Sequence, residues 1–337
     1  RSMVGSLGLA LAAYFMPVLP LGLVSLLSLA AEAEVAVFEG SYGGRPTGSI
    51  VGFEPSVGTG YPVYVWLAGT GLSWHNRSTD RDLLRRAAEL GAVAGQCQYR
   101  NWMYPLGGCR GLLEKARPIF DMSLASSCIS QLCDRPSADC SKGIGVHGFS
   151  QGAQLAALAK NFAPKVSAAL LMGHGDQPVG DLSSCMDYLN ADGNRNAFHG
   201  LRREQVRSLV GEHDSSFGCC FDHPDSTCCD KKKPCRQQQM LTTGYTCPPG
   251  QYDCLQLDGS GWRVVSNADA GKADGADHCF AWVGKCPVLA GAKDEWTPAW
   301  LSNATWALEA SLSWLLATAK RSAVGQQFER SHVALLV

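Results

Sequence analysis

The sequence predicts an α/β fold, a mostly parallel central sheet flanked by helices, and three observations carry that prediction. Short apolar runs alternate with stretches of helical periodicity between residues 63 and 210, the pattern of parallel strands joined by crossover helices. Runs such as Ala168-Ala169-Leu170-Leu171-Met172 are apolar without alternation, which suits strands covered on both faces. The apolar run 144–147 leads through a glycine-flanked turn straight into a helical stretch opened by Ala153, Leu155, Ala156, Leu158 and Ala159, so a strand and a helix meet there at a sharp corner.

The elements follow in order. Residues 35–39 and 49–53 read as short strands joined by the turn-rich Gly40-Ser41-Tyr42-Gly43-Gly44-Arg45-Pro46, an antiparallel hairpin. Residues 63–68 form a strand that ends at Gly69-Thr70-Gly71. From Asp80 the spacing of Leu83, Leu84, Ala87, Ala88 and Leu90 predicts a helix that stops at Gly91. Strands at 93–99, 144–147, 166–172 and 205–210 alternate with helices at 111–120 and 151–162. A closing helix is expected over 300–319, starting near Thr297-Pro298 and carrying Leu301, Leu308, Leu312, Leu315 and Leu316. Residues 215–261 are dense in Cys, Pro, Gly, Lys and Gln without periodicity and read as a disulfide-pinned insertion within one domain spanning 34–321; residues 322–337 read as a tail of little pattern.

Composition narrows the class. A hydrophobic content of 46% with 18% charged residues over 337 residues describes an ordinary globular core, and a formal net charge of −1 gives no electrostatic case for nucleic acid as a partner. The basic run Lys231-Lys232-Lys233 is short and reads as a solvated loop tip. Residues 3–29 are uncharged and rich in Leu, Ala and Val, and Ala31-Glu32-Ala33 fits a cleavage site. Residues 1–33 therefore read as a secretory signal peptide, with an uncleaved membrane anchor as the alternative because Arg1 alone supplies the basic end and Pro17 and Pro20 interrupt the run. All 15 cysteines lie beyond that segment, a density that suits disulfides outside the cytosol. A zinc site in the 219–254 cluster is disfavoured, since its adjacent Cys-Cys pairs lack the spacing that brings two thiolates to one tetrahedral ion. An odd count leaves at least one thiol free or paired between chains. Asn76-Arg77-Ser78 and Asn303-Ala304-Thr305 are glycan acceptor motifs in a eukaryotic secretory route.

The strand-to-helix corner carries the chemistry. Gly148-Phe149-Ser150-Gln151-Gly152 is a nucleophile elbow: a serine on a tight turn projects its hydroxyl above the sheet, and a Cβ at either glycine would collide with neighbouring backbone. With 37 glycines in the chain the five letters alone arise readily by accident, so the strand before and the helix after carry the signal. A serine hydroxyl is a poor nucleophile at neutral pH and needs a base, and the base needs a third group to hold its tautomer. Beyond Ser150, the segment Ser208-Leu209-Val210-Gly211-Glu212-His213-Asp214 places an acid after a late strand, and Ala276-Asp277-His278-Cys279-Phe280 places a histidine in a loop before the terminal helix. Asp214 is the best acid, with Asp176, Asp222 and Asp225 as competitors and Asp277 expected to face away. His278 is the best base, with His223 in reserve. His75 reads as loop, His147 as packing under the elbow, His174 as lining a strand end and His213 as lying near the acid; His199 and His332 have no supporting context.

The elbow, the acid after a strand and the late histidine loop, in the chain order Ser, Asp, His, resemble the α/β-hydrolase superfamily over roughly residues 35–320. The Gly-Phe-Ser-Gln-Gly form looks like that of carboxylesterases and acyl thioesterases, and it does not exclude lipases or peptidases. The long cysteine-rich stretch between acid and histidine departs from the minimal fold and weakens any inference about substrate. The resemblance implies an oxyanion hole from the backbone N–H of Gln151 and of a residue in Gly69-Thr70-Gly71-Leu72, for which Thr70 is nominated. It implies a secreted serine esterase needing no metal or organic cofactor, acting on a small-molecule or lipid-like ester; a serine peptidase, a thioesterase, or a catalytically silent binding module on the same scaffold are the alternatives. A disulfide from Cys279 to Cys286 or Cys254 would fix the histidine loop. The insertion is either a rim over the cleft or an inert surface loop, and Trp66, Trp74, Trp102 and Trp282 either line an acyl pocket or pack in the core.

Overall fold

The structure is a computed structural model that describes residues 34–43, 48–71, 77–101, 108–174, 200–214, 239–240, 242–272, 275–284 and 293–334, without the side chains of 108–109 and 325–334. Two units divide the chain, Arg1–Glu32 and Ala33–Val337, and every element below belongs to the second. Its centre is an eight-stranded sheet built from β1 (Val35–Tyr42), β2 (Gly48–Pro55), β3 (Val63–Leu67), β4 (Val93–Cys97), β5 (Ile144–Phe149), β6 (Val166–Met172), β7 (Val206–Gly211) and β8 (Gly261–Val265). Their spatial order is β1-β2-β4-β3-β5-β6-β7-β8. The β1–β2 and β2–β4 pairs are antiparallel, and every pair from β4 to β8 is parallel. This is the α/β-hydrolase fold, with the mostly parallel sheet that the sequence predicts and the hairpin at its edge.

Burial on both faces explains the continuous apolar runs. Along β3, Val63, Val65 and Leu67 join one core cluster while Tyr64 and Trp66 join the other; along β6, Ala169 and Leu171 face the first and Ala168, Leu170 and Met172 the second. Successive strand side chains point to opposite faces, so each strand feeds both cores. Helices α2 (Gly108–Phe120), α3 (Cys128–Cys133) and α4 (Gln151–Leu158) supply the first core with Leu112, Ile119, Ile129 and Leu155. Helix α1 (Ser78–Glu89) supplies the second with Leu83, Leu84, Ala87 and Ala88. A one-turn helix, α5 (Asn267–Ala270), follows β8, and α6 (Leu308–Ala334) closes the second face with Leu312, Leu315 and Leu316.

Several boundaries differ from expectation. Helix α6 begins at Leu308 rather than near residue 300 and continues to Ala334, through residues that show little pattern in the sequence. Before it, the Thr297 hydroxyl accepts from the Trp300 N–H and the Ser302 hydroxyl from the Ala304 N–H; such local side-chain bonds hold the backbone in turns instead of helix. Helix α4 ends at Leu158 and gives way to a 3₁₀ turn over Ala159–Asn161. Neither α3 nor β8 is anticipated by the sequence, each being short, and β8 carries a charged Arg263 in its centre.

Disulfides join Cys97 to Cys128, Cys133 to Cys140 and Cys247 to Cys254. The first ties the end of β4 to the start of α3 across a separation of 31 residues, which by the loss of unfolded-chain entropy stabilises by about 3 to 4 kcal/mol. Within the expected insertion, residues 239–240 and 242–261 are described. Their Cys247, Cys254 and Met240 pack with Trp262 and Val264 of β8, and Cys254 donates its N–H to the Trp262 carbonyl at 2.8 Å. The end of the insertion is thus a layer on the last strand, and Cys254, bonded to Cys247, is not the partner of Cys279. The leader, residues 1–33, lies outside the described residues, as do Asn76, Trp74, Trp102, His75, His199 and His223. Among the described residues no helix is long and apolar enough to cross a membrane. Asn303 stands exposed in the turns before α6.

Candidate active site

The carboxyl ends of β3, β5, β6 and β7 bring the candidate residues together. Ser150 sits between the last residue of β5 and the first of α4 with φ 55° and ψ −121°. It is the one non-glycine residue with positive φ among those described. Such a conformation costs of order 1–3 kcal/mol and persists only where the surroundings enforce it. Here the Ser150 N–H donates to the Met172 carbonyl at 2.8 Å, and the Ser150 carbonyl accepts the Ala153 N–H at 2.9 Å. The flanking glycines have the role the motif suggests. A Cβ on Gly148 would lie 2.1 Å from the Gly152 carbonyl oxygen, and one on Gly152 would lie 2.1 Å from that of Leu67; the strand, the helix and β3 approach too closely for any side chain.

His278 and Asp214 form a buried pair. The imidazole Nδ1 donates to Asp214 Oδ2 at 2.7 Å, with the two side chains 3% and 0% exposed. Asp214 follows β7 in a turn whose geometry is set by its own N–H donating to Gly211, and the neighbouring His213 N–H donates to the Ala276 carbonyl at 2.9 Å. The acid loop and histidine loop are stitched further by Asn267: its Oδ1 accepts the Ala276 N–H at 2.6 Å, its Nδ2 meets His213 Nε2 at 2.8 Å, and its own N–H donates to Glu212 Oε2 at 2.8 Å. Asp277 does face away, accepting from Lys272 Nζ at 2.9 Å and from the Cys279 N–H at 3.0 Å. Cys279 is disulfide-bonded, so the residue after the histidine is covalently tied.

The residue before the serine packs on the histidine. The Phe149 ring lies 4.8 Å from the imidazole centroid, and a Cβ built on Gly173, whose φ is +55°, would sit 2.9 Å from His278 Cε1 and 3.1 Å from Phe149. Among the described residues the Ser150 hydroxyl makes no hydrogen bond, so the structure pairs the acid with the histidine and shows no bond from the serine to that base. Such bonds often tighten only when substrate is in place.

The two residues nominated for the oxyanion hole also meet, through their side chains. Gln151 opens α4, where the first N–H groups of a helix have no intrahelical acceptor, and its Nε2 donates to Thr70 Oγ1 at 3.2 Å. Lys115 Nζ donates to Gln151 Oε1 at 2.9 Å; partial burial, with Arg100 nearby, lowers the Lys115 pKa to about 8. Among the described residues neither the Thr70 nor the Gln151 backbone N–H has an acceptor. Two residues that the sequence does not mark as site residues hold the Thr70 loop: Tyr99 donates its hydroxyl to the Ala68 carbonyl at 2.7 Å, and Asn101 Nδ2 donates to the Gly69 carbonyl at 2.6 Å. They belong to the loop after β4, and nothing in their local sequence signals the contact.

The other histidines are placed elsewhere. His147, in β5, is buried between Tyr64, Trp66 and Met172. His174 is buried at the end of β6, where Gln239 and Thr242 of the insertion pack on it, so part of the insertion borders the candidate site. His213 meets Asn267, and the side chain of His332 lies outside the described residues, as do Asp176, Asp222 and Asp225. Trp66 and Trp282 are both core residues; Trp282 packs between the tilted rings of Phe149 and Trp296. Among the described residues no group of three or more His, Cys, Asp or Glu is placed to hold a metal.

No protein-family model matches the chain, and no curated protein matches it in sequence. Solved structures with a similar arrangement include the esterase Est22, 14% identical with a TM-score of 0.34 over 53% of this chain and 64% of that one. Brefeldin A esterase, a bacterial homologue of human hormone sensitive lipase, is 14% identical with a TM-score of 0.35 over 55% and 63%. A fungal esterase from Rhizomucor miehei is 13% identical with a TM-score of 0.34 over 53% and 66%. The chain spans less than two thirds of the length of each.

Proposed function

We propose that this chain is a secreted serine hydrolase that cleaves a carboxylic ester through an acyl-enzyme, with residues 1–33 as its leader and residues 34–321 as the hydrolase domain. The observation that carries the reading is the buried His278–Asp214 pair, whose imidazole packs on Phe149, the residue before a serine held at positive φ on a strand-to-helix corner. In this mechanism His278 Nε2 takes the Ser150 hydroxyl proton as Oγ adds to the ester carbonyl. The Asp214 carboxylate holds the Nδ1–H tautomer and stabilises the imidazolium that forms. The negative oxygen of the tetrahedral intermediate is met by the Thr70 and Gln151 N–H groups, preorganised donors whose individual loss typically costs about 10² to 10³ in rate. Collapse breaks the bond to the alkoxy group, which leaves as the alcohol with the proton from His278; water, activated by the same base, then releases the acid and restores the serine. Acyl transfer of this kind draws on no metal or organic cofactor. The expected substrate is a small-molecule or lipid-like ester.

Labelling of the disulfide-intact protein with a fluorophosphonate probe, followed by peptide mapping, tests this directly. The expected result is a single adduct on Ser150, absent in Ser150→Ala, with ester turnover reduced at least about 10⁴-fold in that variant. Folded wild-type protein that takes no label would instead favour a binding module on the hydrolase scaffold. A panel of ester, thioester and peptide substrates then separates an esterase from a thioesterase or peptidase by leaving-group preference.

A further inference from the structure

We propose that Asn101 is a positioning residue that aims the Thr70 N–H at the oxyanion, an inference that rests on the serine-hydrolase reading of Ser150. A loop following a strand does not by itself point an amide at a reacting atom. The peptide planes of this loop, however, are gripped from outside. In a trans peptide unit the C=O and N–H bonds lie in one plane and point in opposite directions, so whatever holds the carbonyl of Gly69 also sets the direction of the Thr70 N–H. Asn101 Nδ2 holds that carbonyl at 2.6 Å. The Asn101 side chain is buried at 2% exposure, where losing a hydrogen bond is expensive.

The grip is built from both ends. The Asn101 carbonyl accepts the Gly71 N–H at 3.3 Å, and the Asn101 N–H donates to the Tyr99 carbonyl at 2.8 Å. Asn101 thus spans Gly69 and Gly71 and takes up the amide after Thr70, so that of this pair of amides the Thr70 N–H is the one without an acceptor among the described residues. One residue earlier, the Tyr99 hydroxyl fixes the preceding carbonyl, that of Ala68. Gly69 also touches the nucleophile: a Cβ there would lie 2.8 Å from Ser150 Cβ and 2.8 Å from the Phe149 ring. The loop therefore meets Ser150 directly. The Thr70 side chain is held separately by Gln151, which leaves the orientation of the peptide plane to Asn101.

The test compares Asn101→Ala and the nearly isosteric Asn101→Asp with wild type, in disulfide-intact full-length protein, using p-nitrophenyl acetate and an aryl trifluoromethyl ketone that forms a tetrahedral adduct. Asn101→Ala is expected to lower kcat by about 10- to 100-fold with KM within about threefold, a part of the about 10² to 10³ that loss of a whole donor costs. Affinity for the ketone should fall in parallel with kcat. In Asn101→Asp an ionised carboxylate cannot donate to Gly69 and a protonated one can. Its kcat relative to wild type should rise as pH is lowered from 8 to 5, a recovery that a merely structural role would not produce, and this variant reads the contact should the alanine variant not fold. Wild-type turnover with an Asn101→Ala kcat and ketone affinity within twofold of it, or an Asn101→Asp ratio that stays near one across pH, overturns the proposal alone. Folded wild type with neither turnover nor ketone binding overturns the serine-hydrolase reading and this inference with it.

Discussion

His147 and His278 are both buried histidines on the sheet, 1% and 3% exposed, one within β5 and the other in the loop that faces its carboxyl end. Their partners make them opposites. His147 Nδ1 meets the Tyr64 hydroxyl at 2.8 Å and its Nε2 points at the Met172 sulfur at 2.9 Å. Neither partner carries charge: burial keeps the Tyr64 hydroxyl protonated. Burial accordingly lowers the His147 pKa to about 3, and this imidazole stays neutral. His278 has a carboxylate on Nδ1 at 2.7 Å. A proton arriving at its other nitrogen creates an ion pair rather than an isolated buried charge, and the cost of an unpaired buried charge is what the His147 environment imposes. In the proposed mechanism that acidic neighbour is what separates His278, the base that takes the serine proton, from a histidine that only packs.

The comparison breaks most sharply at Asp214. Asn in its place keeps the shape but removes the charge and permits the wrong tautomer, so steady-state kinetics of Asp214→Asn should show kcat lower by about 10⁴ with the fold retained by circular dichroism. Activity within tenfold of wild type would mean that the pair is not the working one.

Two variants beneath the site sharpen the contrast through stability. Burial raises the Asp80 pKa to about 7, opposed by Arg77 and by the Gln96 amide that donates to it at 3.1 Å. Between about pH 4 and 7 the folded state holds a proton on Asp80 that the unfolded state has lost, so this group's contribution falls as pH rises. His147 has the opposite sign: between about pH 3 and 6.5 the unfolded state binds a proton that the folded state refuses, so its contribution rises with pH. In the shared window the two slopes, each about 1.4 kcal/mol per pH unit at most, cancel in the wild type. Denaturant titrations of Asp80→Asn should therefore show stability rising from pH 4.5 to 6.5. The same titrations of His147→Phe should show it falling over that range, alongside a smaller loss of about 1–3 kcal/mol at pH 7 from the stranded Tyr64 hydroxyl. Profiles parallel to wild type in both variants would refute the balance.

Much of this arrangement is legible in the sequence, and the reason is local. The continuous apolar runs at β3 and β6 announce strands covered on both faces, and the Gly148 to Gly152 corner announces a turn in which Cβ atoms have no room. Asp214 and His278 can be picked by chain order and by position after a strand and before the last helix, and the structure does join that acid to that histidine. The misses are equally physical. Helix α6 starts late because Thr297 and Ser302 bond to nearby backbone, a competition that apolar spacing does not register. Strand β8 escapes notice because Arg263 interrupts its apolar character, and that charge is accommodated by Asp253 and Asp269, residues from the end of the insertion and from α5. Asn101 and Tyr99 carry no motif at all, since their role depends on two carbonyls 32 and 31 positions away.

The sequence by itself determined the layered α/β architecture, the strand-to-helix corner at Ser150 and the order of the polar candidates, because periodicity, glycine placement and turn chemistry are properties of neighbouring residues. Only the tertiary structure decided which of the histidines acquires a carboxylate, which carbonyls Asn101 and Tyr99 grip, and that Ser150 bears a backbone strain found at no other described non-glycine residue. Those are outcomes of elements far apart in the chain meeting at the ends of parallel strands. Direction and distance there are set by the register of the whole sheet, which no local pattern encodes.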